Sequence, residues 1–185
     1  MKELNIGLFG LGTVGSGIFT VLQRARNCHA RISRICVRSL SKPRAVEVPE
    51  NILTDNPADI LSDPDIDLVV EVIDNAEASF AIVSEAMRRG KSVVSGNKAM
   101  IARHLPELIE LQRQTGTALL YDASACGSIP VIRNLEEYYD NDLLLEVKGI
   151  LNGSSNYILS RVFDHQESYD AALAQAQALG FAESG

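Results

Sequence analysis

A short glycine-rich segment near the start of the chain has the spacing of a phosphate-binding loop. Gly10-Leu11-Gly12-Thr13-Val14-Gly15 fits G-x-G-x-x-G, between an apolar run and a segment of helical periodicity. In this context Gly10 permits a tight turn, Gly12 lets the backbone approach a pyrophosphate, and Gly15 allows close helix–strand packing. The free N–H groups of a helix start attract phosphates. Residues 10 to 15 therefore predict a dinucleotide site, the alternative being a glycine-rich turn that binds nothing.

The end of the second predicted strand indicates which dinucleotide is bound. The chain reads Cys36-Val37-Arg38-Ser39 there, with Lys42 and Arg44 close behind. Domains selective for NAD usually carry an Asp or Glu at this point, which binds the ribose hydroxyls. A guanidinium instead suits the charge and geometry of a 2′-phosphate. We therefore expect the cofactor to be NADP, with Arg38 as a contact. If the cofactor is NAD instead, Arg38 is a solvated side chain that stacks on the adenine.

Predicted strands and helices alternate through the first two thirds of the chain, which is typical of a parallel sheet with helices on both faces. We expect an α/β fold, a Rossmann-type doubly wound parallel sheet over residues 1–128, followed by the start of an α+β substrate domain over residues 129–185. The expected strands are 4–9, 32–37, a short one within 52–61, 67–73, 92–95, 118–121 and, in the second domain, 144–151. The expected helices are 13–26, 77–89, 103–115, 130–139, 154–163 and 168–179.

Composition limits the class of partner. The 185 residues are 46% apolar and carry a net charge of -7, which disfavours nucleic acid and anionic membrane surfaces as partners. No run reaches the ~20 apolar residues of a membrane helix, and the apolar segment after Met1 is too short for a secretory signal. The three cysteines form no CxxC pair, which is typical of reduced thiols. We expect a cytoplasmic protein.

Four further segments resemble the homoserine dehydrogenase family, in order and spacing, along nearly the whole chain. The most specific is Asn152-Gly153-Ser154-Ser155-Asn156-Tyr157-Ile158-Leu159; the others are residues 95–99, 121–130 and 178–183. The resemblance implies an NAD(P)-dependent oxidoreductase that interconverts L-homoserine and L-aspartate 4-semialdehyde. The resemblance places that reaction in the threonine, methionine and isoleucine branch of aspartate-family amino-acid biosynthesis.

The resemblance also implies roles for individual residues. Lys98 corresponds to a lysine beside substrate and nicotinamide, where an ammonium polarises the aldehyde oxygen or exchanges the proton. Asn75 and Lys98 are expected cofactor contacts. Glu183 corresponds to the glutamate that holds the substrate amino group, and the segment Asn152, Gly153 and Ser154 would hydrogen-bond the substrate at a helix start. The alternatives are that Lys98 is a surface lysine and that Glu183 is a solvated acid.

A monovalent cation such as sodium and a homodimer are further expectations from the resemblance. The cation would be held by backbone carbonyls of four residues, Asp122, Ala125, Gly127 and Ile129. Family members commonly dimerise through the substrate domain, so we expect a homodimer in a full-length form.

The chain departs from the family pattern in two places. Asp74-Asn75-Ala76-Glu77 stands where the family usually has two glycines after a strand, which affects cofactor contacts there. The family also continues past Glu183 with an Asp-Pro step, a substrate-binding aspartate and a lysine thought to shuttle the proton. We therefore expect an incomplete form that binds cofactor but turns over homoserine poorly or not at all.

Two other functions fit parts of the sequence. A thiol-dependent aldehyde dehydrogenase would use Cys126 as nucleophile, but such a thiol needs a base, and no His lies nearby in sequence. A non-catalytic Rossmann module that binds a nucleotide without turnover needs only the glycine loop. Full activity in a Cys126→Ala variant would exclude the thiol mechanism.

Overall fold

The computed structural model describes residues 3–25, 28–127 and 129–182. The chain divides into two compact units, Met1–Gly127 and Ser128–Gly185. Within the described residues, no helix is both long enough and apolar enough to cross a membrane.

The first unit alternates strands with helices. Its strands are β1 Leu4–Phe9, β2 Ala30–Cys36, β3 Leu53–Thr54, β4 Leu68–Glu71, β5 Ser92–Ser95 and β6 Leu119–Leu120. Its helices are α1 Thr13–Arg24, α2 Ala58–Leu61, α3 Ala76–Arg88 and α4 Lys98–Thr115, with short 3₁₀ turns at Glu50–Ile52 and Asp122–Ser124. The second unit contains α5 Val131–Tyr138, α6 Gly153–His165 and α7 Tyr169–Ala178.

The six strands form one parallel sheet in the order β3-β2-β1-β4-β5-β6. Strands β1 to β3 therefore follow one another toward one edge of the sheet, and strands β4 to β6 follow one another toward the other edge. The prediction of a doubly wound α/β fold is confirmed. In such sheets ligands bind beyond the carboxyl ends of the strands, where the order reverses. Here that point lies between β1 and β4.

The core covers both faces of the sheet. Neighbouring strand residues enter different hydrophobic clusters: Leu8 and Val70 pack in one, Phe9 and Val69 in the other. This follows from the two-residue side-chain period of a strand, and it explains why the strands are apolar on successive residues. Phe19 of α1 belongs to the first cluster. The sheet is thus packed on both faces.

Helix α4 begins at Lys98, five residues before the predicted start at 103. The Oδ1 atom of Asn97 accepts a hydrogen bond of 2.9 Å from the Met100 amide and so caps the first turn. Asparagine is a preferred N-cap, and the helix ends at Gly116, in the left-handed region at φ 68°. The cap therefore brings Lys98 into the first turn of a helix.

The predicted strand at 144–151 is wrong. In the described part of the second unit, residues 129–182, these positions carry no regular secondary structure, and Leu145 is 93% exposed. A strand is stabilised by pairing with a neighbour, and the second unit contributes only helices among its described residues. The β-branched and leucine-rich pattern of this segment does not create a strand without a partner.

Helices α6 and α7 of the second unit share a small core of Ile158, Ala172 and Ala176. Each helix is capped by a side chain that accepts from its third amide: Asn152 from Ser155 at 2.8 Å, and Ser168 from Ala171 at 3.3 Å.

Candidate functional site

The glycine loop follows β1 at the point where the strand order reverses. Gly10 has φ +96°, and its amide donates to the Cys36 carbonyl at 3.0 Å. A Cβ on Gly10 would lie 2.9 Å from the Val72 carbonyl oxygen, and a Cβ on Gly15 would lie 2.1 Å from the Gly10 carbonyl oxygen. Glycine is therefore required at both positions, at the first by backbone conformation and at the second by helix–strand packing.

Gly12 differs from its two neighbours because it faces open space. It is the N-cap of α1, and a Cβ added there would meet no atom within 4 Å. No side chain caps this helix, and its first turn holds no acidic residue. Thr13 and Val14 are exposed, while Leu11 packs into the cluster below. The first N–H groups of a helix lack internal acceptors, so an anion can approach them here without displacing a side chain.

Arg38 and Asp74 meet beyond the carboxyl end of β1. The Arg38 Nη2 atom lies 3.5 Å from Asp74 Oδ1, with side chains 91% and 81% exposed. Arg38 follows β2 and Asp74 follows β4, the two neighbours of β1 in the sheet, so the ion pair spans the strand that leads into the glycine loop. An exposed pair of this kind is worth about 0–1 kcal/mol. An anionic ligand can therefore compete with Asp74 for the guanidinium.

Arg44 organises the loop after β2. Its guanidinium donates to the carbonyls of Ser39, Leu40 and Lys42 at 2.6, 2.9 and 3.0 Å. Those bonds hold a turn of the 39–44 segment and use the donors of Arg44 within the loop. Arg38, in contrast, points its guanidinium out to the sheet edge with only the exposed carboxylate of Asp74 as ion-pair partner among the described residues.

The ends of β4 and β5 carry the next two predicted residues. Asn75 is the N-cap of α3, and its Oδ1 atom accepts from the Ala78 amide at 2.9 Å. Lys98 is exposed in the first turn of α4, and no hydrogen bond or ion pair holds its ammonium within the part of the chain that the structure describes. Asn75 thus has a structural role beside any ligand contact, whereas the Lys98 ammonium is available at the sheet edge.

Sequence reasoning missed a buried polar network under this edge. Glu71, the last residue of β4, is 0% exposed; its Oε1 accepts from the Ile73 amide at 2.7 Å and its Oε2 from the Ser95 hydroxyl at 2.6 Å. The Ser95 Oγ atom accepts in turn from the Asn97 amide at 3.1 Å. The only signal in the sequence was a glutamate inside an otherwise apolar strand, since a buried acid needs partners.

The proposed substrate residues lie in the second unit. Asn152 caps α6, Gly153 is the first residue of that helix, and the Ser154 hydroxyl donates to the Phe181 carbonyl. Glu183 lies outside the described residues. The structure therefore shows a helix-capping role for Asn152, and substrate binding by this segment stays a prediction.

The four carbonyl residues predicted for a cation divide between the units. Asp122 opens a 3₁₀ turn, and its carbonyl accepts from the Ala125 amide at 3.1 Å. Gly127 has φ +60°, and Ile129 belongs to the second unit. No group of three His, Cys, Asp or Glu side chains suited to a metal occurs within residues 3–25, 28–127 and 129–182. A site made of backbone carbonyls stays a prediction.

The three cysteines lie in different environments. Cys28 is exposed, Cys126 is half-buried with φ 57°, and Cys36 is buried at the end of β2. Burial, with a smaller effect from the carboxylates of Asp55 and Asp59, raises the pKa of the Cys36 thiol to about 11. Since the thiolate is the reactive form, Cys36 is an inert core residue.

Comparisons with known proteins point to the same family along nearly the whole chain. Residues 10–122 match the family described as "Homoserine dehydrogenase, NAD binding domain", and residues 130–185 match "Homoserine dehydrogenase". Curated relatives called homoserine dehydrogenase include those of Bacillus subtilis, 37% identical over 100% of this chain and 44% of the relative, and of Synechocystis, 39% identical over 98% and 43%. The chain thus spans less than half the length of these relatives.

Solved structures agree with this comparison. A homoserine dehydrogenase from Thiobacillus denitrificans superposes with a TM-score of 0.83 at 37% identity, over 100% of this chain and 44% of that chain. A hyperthermophilic archaeal homoserine dehydrogenase in complex with NADPH superposes with a TM-score of 0.76 at 24% identity, over 100% and 63%, which supports the fold alone. The matched region 10–122 contains the glycine loop and covers more than half of the chain. The chain therefore belongs to the homoserine dehydrogenase family.

Proposed function

We propose that this chain binds NADP(H) at the carboxyl edge of its sheet and supplies the cofactor half of an enzyme that interconverts L-homoserine and L-aspartate 4-semialdehyde. One observation carries the proposal: the open, uncapped start of α1 at Gly12 lies where the strand order reverses, on the same edge as the exposed side chain of Lys98.

The described residues fit a dinucleotide. The amides of the first turn of α1, at Thr13 and Val14, would hold the pyrophosphate, because they lack internal acceptors and sit at the positive end of the helix dipole. The adenosine ribose would then lie beside the end of β2 at Arg38. The nicotinamide half would lie at the ends of β4 and β5, next to Asn75 and Lys98.

The 2′-phosphate is the reason to prefer NADP over NAD. Arg38 offers a guanidinium at the end of β2, and Arg44 already holds the loop behind it through three carbonyls. A preformed loop lowers the ordering cost of binding. A phosphate with close to two negative charges would compete well with the single, exposed carboxylate of Asp74.

The residues of this chain would orient the substrate and take part in the transfer of one proton. When bound, the cofactor supplies or accepts the hydride at C4 of its nicotinamide ring. Lys98 would donate a hydrogen bond to the carbonyl oxygen of the semialdehyde and so stabilise the negative charge that develops there. Glu183 would pair with the substrate amino group, and Asn152, Gly153 and Ser154 would bind the rest of the substrate.

Further properties follow the family. We infer a monovalent cation, such as sodium, on the carbonyls of Asp122, Ala125, Gly127 and Ile129, and a homodimer in a full-length form. A small-molecule substrate and a place in threonine and methionine biosynthesis follow from the reaction of the family. A cytoplasmic location is consistent with the free cysteines.

A fluorescence titration of the chain with NADPH and with NADH tests cofactor binding. We expect NADPH to bind more tightly, and Arg38→Ala to weaken NADPH binding about tenfold or more while leaving NADH unchanged, because one charge-assisted contact is lost. Arg113→Ala is the matched control, since Arg113 is an exposed arginine on α4 with a single 3.8 Å pair to Glu110.

The outcomes separate the alternatives. Equal affinities for both cofactors would contradict the role of Arg38, and binding of neither would contradict the cofactor site. Homoserine-dependent NADPH formation should be absent or weak in this chain alone and strong after fusion to the remaining length of a relative. Binding without turnover in that fusion would favour the non-catalytic module.

A further inference from the structure

Glu71 is a buried carboxyl group that the proposed reaction does not use. We infer that it is a positioning residue: through Ser95 it sets the turn that carries Asn97 and Lys98, and so the nicotinamide half of the site. The inference rests on the proposed function, because it assigns Glu71 a role in one half of the same cofactor site.

The carboxyl group holds the ends of two neighbouring strands together. Its Oε1 accepts from the Ile73 amide, two residues beyond its own position in the chain, at 2.7 Å. Its Oε2 accepts from the Ser95 hydroxyl, at the end of β5, at 2.6 Å. Both donors are neutral, and Glu71 is fully buried. An apolar residue of similar size would leave a half-buried amide and a buried hydroxyl without this acceptor, which costs free energy.

Ser95 and Asn97 extend the connection into a closed ring. The Ser95 Oγ atom accepts from the Asn97 amide at 3.1 Å, and the Asn97 Nδ2 atom donates back to the Ile73 carbonyl at 3.0 Å. The Asn97 Oδ1 atom caps α4 through the Met100 amide at 2.9 Å. Since Lys98 follows Asn97 directly, a shift of Glu71 or Ser95 changes the direction in which α4 begins and in which Lys98 leaves it.

The ring lies on one side of the point where the strand order reverses. It joins β4 to β5, whereas the glycine loop and Arg38 follow β1 and β2. No member of the ring is among the residues that we propose for the pyrophosphate or the 2′-phosphate. Loss of the Glu71 carboxyl should therefore weaken contacts with the nicotinamide half and spare the adenosine half.

Comparing two ligands separates the contributions of the two halves. NADPH contains both halves, whereas 2′,5′-ADP lacks the nicotinamide. By isothermal titration calorimetry, Glu71→Ala should weaken NADPH binding about tenfold, the loss expected for about one hydrogen bond, with 2′,5′-ADP affinity unchanged within about twofold. Glu71→Gln should restore most of the loss, because its carbonyl accepts from Ile73 and its NH₂ can donate to the Ser95 oxygen.

A second variant and a matched control complete the experiment. Ser95→Ala removes the same connection from the other side and should produce the same selective loss, so the test does not depend on the folding of Glu71→Ala. Lys91→Met is the control: Lys91 is buried just before β5, at the opposite end of the strand, and donates to the Asp63 and Ile66 carbonyls at 2.5 and 2.9 Å. It should lower the Tm without changing the ratio of the two affinities.

The results distinguish this inference from the function on which it rests. Failure of the unaltered chain to bind either ligand would overturn the cofactor site itself and the role of Glu71 with it. Binding of both ligands by the unaltered chain, followed by equal losses for both in Glu71→Ala and Ser95→Ala, would overturn the positioning role alone. A selective loss of NADPH affinity that glutamine restores supports it.

Discussion

Replacing Gly12 with aspartate should weaken cofactor binding about 100-fold or more, while the fold stays intact or becomes slightly more stable. Gly12 has φ -79° and ψ -157°, which any residue adopts, and an added Cβ meets no atom within 4 Å. Aspartate is a preferred N-cap, and its carboxylate would accept from the uncapped amides of α1. Those are the amides that we propose for the pyrophosphate, which the carboxylate would both block and repel.

The substitution should raise the free energy of unfolding and lower the affinity for NADPH, and the two changes can be estimated separately. A better cap adds a few tenths of a kcal/mol, and loss of glycine's freedom in the unfolded chain adds about 0.4–1 kcal/mol. The free energy of unfolding should therefore rise by about 1 kcal/mol, or about 2–4 °C in Tm. Loss of two hydrogen bonds to a charged phosphate, each worth about 1.5–3 kcal/mol, should reduce NADPH affinity by about 100-fold or more.

Thermal unfolding and NADPH fluorescence titration on the same protein samples measure both quantities. Gly17→Ala is the matched control, since Gly17 lies in the same helix and an added Cβ there also meets no atom within 4 Å. It should raise the Tm through helix propensity and leave NADPH affinity unchanged. Gly12→Asn, a neutral cap of the same shape, should bind NADPH more tightly than Gly12→Asp, and the difference measures the charge effect.

Unchanged NADPH affinity in Gly12→Asp would refute the placement of the pyrophosphate at the start of α1. A large fall in Tm for Gly12→Asp, with none for Gly17→Ala, would refute the open geometry around Gly12. Loss of affinity together with an unchanged or higher Tm is the expected result.

Three further predictions concern Gly15, Asp74 and Cys36. Gly15→Ala should lower the free energy of unfolding by about 1–3 kcal/mol in urea titrations, because its Cβ would lie 2.1 Å from a carbonyl oxygen; an unchanged midpoint would contradict that packing. Asp74→Asn should release Arg38 and raise NADPH affinity at low salt by up to about fivefold, whereas weaker binding would mean that Asp74 contacts the cofactor. Cys36 should resist thiol reagents at pH 8. Its pKa is raised from 9.0 to about 11, so its contribution to stability is complete below pH 9 and disappears as the pH rises through 11; a Cys36→Val variant with the same pH profile would contradict this.

Local signals predicted the regular elements of the first unit because those elements depend on neighbours in sequence. The glycine spacing and the apolar run before it are sufficient to specify the turn after β1 and the start of α1. Helix α4 begins at Lys98, five residues before the predicted start at residue 103. The N-cap Asn97, which is also a local signal, marks the true start.

Contacts between distant residues were not predictable in this way. Glu71 and Ser95 are 24 positions apart, and Arg38 meets Asp74 only because β2 and β4 flank β1 in the sheet. A single sequence shows an acid in an apolar strand, but the partner depends on strand order. The strand predicted at 144–151 was wrong for the same reason, since pairing depends on a neighbour that the local pattern does not reveal.

The sequence by itself therefore determined the fold class, the glycine loop and the residue types available at the sheet edge. These follow from side-chain period, backbone conformation and helix capping, which act over a few residues. Tertiary structure alone decided that the start of α1 is open at Gly12, that Arg38 faces Asp74, and that a buried ring from Glu71 supports the turn before Lys98. All three depend on which strands lie side by side. For the ring from Glu71, burial also makes each unpaired polar atom costly enough to select its partner.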